Sequence, residues 1–155
     1  MGDKCALPSS LYTGVRYKPL LTGGMALLAG GAMPLAFAPV GWAWLAVIAL
    51  ATFFVLTAQS SRRQALWSAY LFGLGYFGVG VSWVFISISQ YGNGPVVAVL
   101  VTAAFVSLLA LFPWGVAYLV RCLRPEMDAM ALWLGLPAAW VLSEWMRTWF
   151  LTGFP

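Results

Sequence analysis

Long apolar runs separated by short polar or Gly/Pro-rich breaks dominate this chain. The runs cover 20–37, 42–58, 65–88, 96–120 and 129–151. Each is long enough to cross ~30 Å of hydrocarbon as a helix. No alternation of apolar and polar positions competes with them. A helix satisfies its own backbone groups in lipid without closing a barrel. The pattern therefore predicts an all-α integral membrane protein, a bundle of about five transmembrane helices, preceded by a polar tail over 1–19.

The charges set the direction. Lys4, Arg16 and Lys18 precede the first run, Arg62 and Arg63 join the second to the third, and Arg121 and Arg124 join the fourth to the fifth. The alternate connections, 38–41 and 89–95, hold no Lys or Arg. Basic residues favour the cytoplasmic side, so the amino terminus is expected in the cytoplasm and the carboxyl end in the periplasm. The exception among the eight basic residues is Arg147, inside the fifth run. Trp42, Trp44, Trp67, Tyr91 and Trp149 fall where an interfacial aromatic belt is expected.

Composition supports this solvent. The chain is 63% hydrophobic and 8% charged, against about a quarter charged in soluble domains. The net charge of +4 is explained by membrane orientation, and no nucleic-acid partner is expected. There is no histidine, which excludes Cys-His and Ser-His nucleophiles within this chain. Cys5 and Cys122 have no metal-ligand spacing and read as unpaired thiols without a catalytic role. No metal and no cofactor are expected. Met1-Gly2 lacks the Ser or Thr of a myristoylation signal. Residues 16–38 mimic a signal peptide ending in Ala36-Phe37-Ala38, but Pro39 after the cut and the length of the run favour a retained first span.

Two local features depart from plain membrane helix. Gly75, Gly78 and Ser82 recur at helical spacing in the third run, as do Ala69, Gly73 and Gly80, and small residues let helices approach closely in lipid. Such packing either serves the bundle alone or also positions Trp83 and Ser87, Ser89 and Gln90 at the outer surface. Pro113 and Pro137 each remove one helical hydrogen bond and are expected to kink their helices.

The second feature is Glu144 with Arg147 at i+3, on one helix face. Glu144 lies about 22 Å along the fifth helix, short of the far boundary by on the order of 8 Å. A lone carboxylate there costs several kcal/mol, and an Arg fork lowers that cost. Two readings stay open. The pair neutralises itself and snorkels outward beside Trp145 and Trp149, or it either braces a polar opening toward the outer leaflet or meets a lipid headgroup.

Three segments together resemble one family. They are Leu35-Ala-Phe-Ala-Pro39, the pattern Gly-x-Gly-x-x-Gly-x-Gly-x-Ser-Trp-Val-Phe-Ile-Ser-Ile over 73–88 with Tyr91-Gly-Asn-Gly-Pro95, and Glu144-x-x-Arg147-x-x-x-x-Thr-Gly-Phe-Pro155. Their order and spans resemble bacterial apolipoprotein N-acyltransferases from about residue 20 onward; the first 19 residues resemble nothing recognised. The resemblance implies a bacterial inner-membrane enzyme with a nitrilase-like periplasmic domain, which transfers an acyl chain from a membrane phospholipid to the amino group of a lipid-modified apolipoprotein. A Cys, a Glu and a Lys of that domain carry the chemistry, and none of them maps onto this chain. Glu144 belongs to the membrane signature and is not the catalytic Glu. The chain is thus expected to be a partial sequence, inactive alone, covering part of the transmembrane domain without the catalytic one. Trp83, Tyr91, Glu144 and Arg147 are the expected substrate-access or structural polar residues at an outer rim. The rival reading is a small structural or transporter-like multi-pass subunit without catalytic activity; the absence of charge from the first four spans weighs against a transport path. Oligomeric state is not legible.

Overall fold

The computed structural model describes residues 19–37, 39–90 and 94–150, and these are helical with no strand among them. Helix α1 (Pro19–Ala32) starts on a proline, whose missing N–H costs nothing in a first turn. It tightens into a 3-10 turn, Met33–Ala36. Helices α2 (Ala43–Gln59), α3 (Arg62–Gly80), α4 (Ser82–Gln90), α5 (Gly94–Leu109), α6 (Leu111–Leu123) and α7 (Leu136–Phe150) follow.

Two helical stretches, Pro19–Ala36 and Gly94–Leu123, are long and apolar enough to cross a membrane. Helices α3 and α4 supply a third if read as one broken span. The run expected to be one span over 65–88 is bent by 49° between Gly80 and Ser82. Helix α2 is apolar but shorter, at 17 residues. Large apolar side chains face outward along the bundle, among them Leu28, Val47, Leu100, Leu123 and Trp133. That distribution suits a lipid solvent, in which no hydrophobic force drives such groups inward.

Helix α3 is the hub, and its glycines explain why. A Cβ on Gly75 would strike the Leu27 carbonyl oxygen, and one on Gly30 would strike the carbonyl of Phe72. Helices α1 and α3 therefore touch backbone to backbone. On another side, a Cβ on Gly73 would sit 2.7 Å from Ala110 Cα, at the α5–α6 junction. The expected small-residue stripe is only partly used, because Gly78 has nothing within 4 Å of its Cβ position. One polar bond joins α3 to α1: Gln64 Nε2 donates to Thr22 Oγ1 at 2.8 Å.

Both prolines follow local irregularities of winding. Helices α5 and α6 form one stretch of 30 residues, with a single-residue turn at Ala110, three residues before Pro113. Ahead of Pro137 the chain widens into a π turn, Ala131–Gly135, where the Leu136 N–H donates to the Ala131 carbonyl. Asp128 starts this region by accepting from the Ala131 N–H at 2.9 Å, in the manner of an N-cap.

At this same end of the bundle, buried Arg121 of α6 donates to the carbonyls of Thr57 (2.6 Å), Ala58 (3.3 Å) and Ser60. These are end-of-helix carbonyls of α2 and its cap, which lack intrahelical partners. Arg62 donates to Cys122 Sγ at 3.4 Å. The α2–α3 connection and the α6 end, which the basic residues assign to one side, thus lie together.

The core that positions the site is aromatic. Phe53 of α2 meets Phe72 of α3 at 4.9 Å between ring centroids, and Trp140 of α7 meets Phe53 at 5.5 Å. Trp140 also reaches Phe72 at 6.0 Å and Tyr76 at 6.4 Å.

Candidate functional site

Trp140 fixes which face of α7 turns inward. Leu136, Trp140 and Arg147 are all buried, and their spacing follows one side of a 3.6-residue helix. Glu144, four residues after Trp140 and three before Arg147, is carried to the edge of the same face. Arg147 Nη2 donates to Glu144 Oε2. The arginine side chain is 8% exposed and the glutamate 36%. The pair is therefore asymmetric, with the cation sealed in and the carboxylate half open.

The seal on Arg147 comes from α3. Its guanidinium lies 5.4 Å from the Phe77 ring centroid and 6.0 Å from that of Tyr76. A cation against aromatic faces in a dry setting gains on the order of 1 kcal/mol per contact. Arg147 Nε has no hydrogen-bond partner among the described residues, a costly state for a buried donor.

Beside the pair opens a groove of about 1140 Å³. Its floor is Tyr76 and Phe77, one wall is the end of α1 with Pro34 and Leu35, and the far wall is Glu144 and Trp145. The α3–α4 break contributes Gly80, Val81 and Trp83. The arrangement is a mostly apolar trough with one dipolar fixture, Arg147 and Glu144, at its rim. A mostly apolar lining with a few convergent polar groups is the general character of a ligand cleft.

Three of the four residues expected at a rim, Trp83, Glu144 and Arg147, come together here, although they sit on different elements. Tyr91 lies outside the described residues, as do Thr152-Gly-Phe-Pro155 and Cys5. Cys122 is exposed at the opposite end of the bundle. Among the described residues no group of three His, Cys, Asp or Glu side chains could hold a metal ion. Sequence reasoning missed Tyr76 and Phe77, which cover Arg147, and the contribution of Pro34. The one signal within reach was the spacing of Trp140, Glu144 and Arg147 along a single helix face.

Comparison with known proteins gives a consistent result. The N-terminal domain of apolipoprotein N-acyltransferase matches residues 29–155. An apolipoprotein N-acyltransferase of Methylococcus capsulatus is 44% identical over 142 residues, which cover 84% of this chain and 26% of the relative. Those of Coxiella burnetii and Vibrio cholerae are 41% and 39% identical, also over 84% of this chain, and 27% and 26% of their own lengths. The chain thus spans about a quarter of the length of the curated relatives it matches.

Proposed function

The chain belongs to the apolipoprotein N-acyltransferase family, and from that premise we propose that it is the membrane portion of an enzyme that moves an acyl chain from a phospholipid to the amino group of a lipoprotein's diacylglyceryl-cysteine. On this reading the chain crosses the bacterial inner membrane five times, with α3 and α4 forming one broken span. The amino terminus is cytoplasmic and the groove faces the periplasmic half. The clustering of Arg62, Arg63, Arg121 and Arg124 at the end of the bundle away from the groove supports this direction.

The chemistry itself belongs to a nitrilase-like domain. A thiolate there attacks the phospholipid ester carbonyl, and the lysophospholipid alkoxide leaves and takes up a proton. The lipoprotein amine then attacks the thioester, loses a proton and restores the thiol. What this chain supplies is access. Both substrates are lipid-anchored, and drawing acyl chains into water costs roughly 0.8 kcal/mol per CH2. A trough within the bilayer lets them arrive sideways, already oriented, which lowers the entropic barrier to reaction.

The observation that carries the reading is the mostly apolar groove of about 1140 Å³ with the Arg147–Glu144 pair on its rim. Replacing Arg147 by Met in the intact enzyme tests it: acyl transfer falls while membrane insertion and yield persist. Unchanged activity, insertion and yield together overturn it. The 155-residue chain alone is expected to transfer no acyl group, and a photocrosslinker at position 91 is expected to label lipid or lipoprotein rather than cytoplasmic partners. A reporter fused after Pro155 tests the direction, and cytosolic activity of that reporter removes it.

A further inference from the structure

Arg62 and Arg63 are neighbours in the first turn of α3, yet the fold engages only one of them. The Arg62 guanidinium lies 5.7 Å from the Tyr118 ring centroid and also donates to Cys122 Sγ. Arg63 is exposed and has no ion pair, hydrogen bond or ring contact among the described residues.

Two crevices open beside Arg63. One, of about 620 Å³, runs between α1 and α3 and is lined by Pro19, Leu20, Gly23 and Leu71. The other, of about 390 Å³, runs between α3 and α6 and is lined by Leu66, Tyr70, Leu111 and Trp114. Arg63 and Trp67 line both. These two residues are four apart, so they stack on one face of α3. Trp67 is 59% exposed and forms the ridge that the crevices share. A single cation above two diverging apolar clefts is the complement of a molecule with one anionic head and two acyl chains.

Charge decides the class of head. Arg62, Arg63, Arg121 and Arg124 gather at this end of the bundle. Of the described acids nearby, Asp128 is already paired with Arg124 at 3.0 Å, and Glu126 is exposed and makes no ion pair with a described residue. The balance favours a head with net negative charge over a zwitterion. The position is separate from the groove: Arg63 precedes Tyr76 by thirteen residues of α3, about 20 Å along the axis.

We propose that Arg63 and Trp67 form a seat for an anionic diacyl phospholipid in the leaflet opposite the groove, one chain in each crevice. Seated there, the lipid ties α1 and α6 together across α3 and stabilises the hub. The inference rests on the membrane placement proposed above.

The test is thermal unfolding of the full chain in detergent during titration with phosphatidylglycerol, phosphatidylcholine or inorganic phosphate. Phosphatidylglycerol is expected to raise the unfolding temperature well beyond phosphatidylcholine, and phosphate to have no effect. Arg63→Gln is expected to need about fivefold more phosphatidylglycerol for the same shift, whereas Arg124→Gln, whose arginine already has a partner, needs the same amount as the parent. Because Arg63 is exposed, its replacement leaves the fold intact. An equal shift by phosphatidylcholine, a shift by phosphate alone, or an unchanged response of Arg63→Gln overturns the proposal. Alkaline carbonate extraction separates the two readings. Protein that stays in the membrane pellet but shows no lipid selectivity defeats only the seat; protein released into solution defeats the membrane placement as well.

Discussion

Arg121 and Arg147 are equally hidden, at 8% and 7% exposure, and each leaves its Nε without a partner. Their surroundings nevertheless make them different devices. Among the described residues, Arg121 donates to neutral dipoles, the carbonyls that end α2. It is a bolt between two helices. Arg147 faces one carboxylate and two rings and lines a trough. Burial alone therefore does not say what a cation in the bundle does. What separates them is their setting: Arg121 lies against helix-end carbonyls, whereas Arg147 holds a part-exposed carboxylate at the edge of a trough.

The largest effect is expected from breaking the bolt. Arg121→Met strips three end-of-helix carbonyls of their donor and should cost about 3 kcal/mol of stability, read as a lower unfolding temperature and a lower yield. Acyl transfer per folded molecule of the intact enzyme should be unchanged. If it falls in parallel, Arg121 is more than structural. Arg147→Met should do the reverse, lowering acyl transfer at least tenfold, about 1.4 kcal/mol of barrier, with a smaller change in unfolding temperature. A double-mutant cycle of Arg147→Met with Glu144→Gln sharpens the contrast, because a coupling of about 1 kcal/mol is expected in activity as well as stability. Arg147→Lys keeps the charge but not the planar fork, and should retain an intermediate rate, down about threefold. The smallest change belongs to Trp83→Ala at the trough's edge, a two- to threefold rise in KM for phospholipid, consistent with loss of one part-exposed apolar contact.

The all-helical character was legible in the sequence, because uninterrupted apolar runs admit little else in lipid. The break at Val81 was not. No proline marks it, and it arises where α3, packed tightly to α1 through Gly75, gives way to α4, none of whose residues is buried. Glu144 and Arg147 stood out because ions are conspicuous in an apolar run. Their covering by Tyr76 and Phe77 was hidden, since it depends on how α3 and α7 meet through Phe72 and Trp140, a contact across more than sixty positions of sequence. The prolines were visible, but not the winding beside them: a turn at Ala110 ahead of Pro113 and a π turn over 131–135 ahead of Pro137.

That rewinding before Pro137 has a consequence for the groove. A π turn is one residue more than an α-helix would use, and each residue advances a helix by about 100°. The wide turn at Ala131–Gly135 therefore sets the angular phase of everything beyond it. Were the same residues wound as a regular α-helix, Trp140 would swing out of its aromatic socket and the carboxylate and guanidinium would rotate toward a different neighbour. The chemistry at one end of α7 is dialled by a winding irregularity two turns or more upstream.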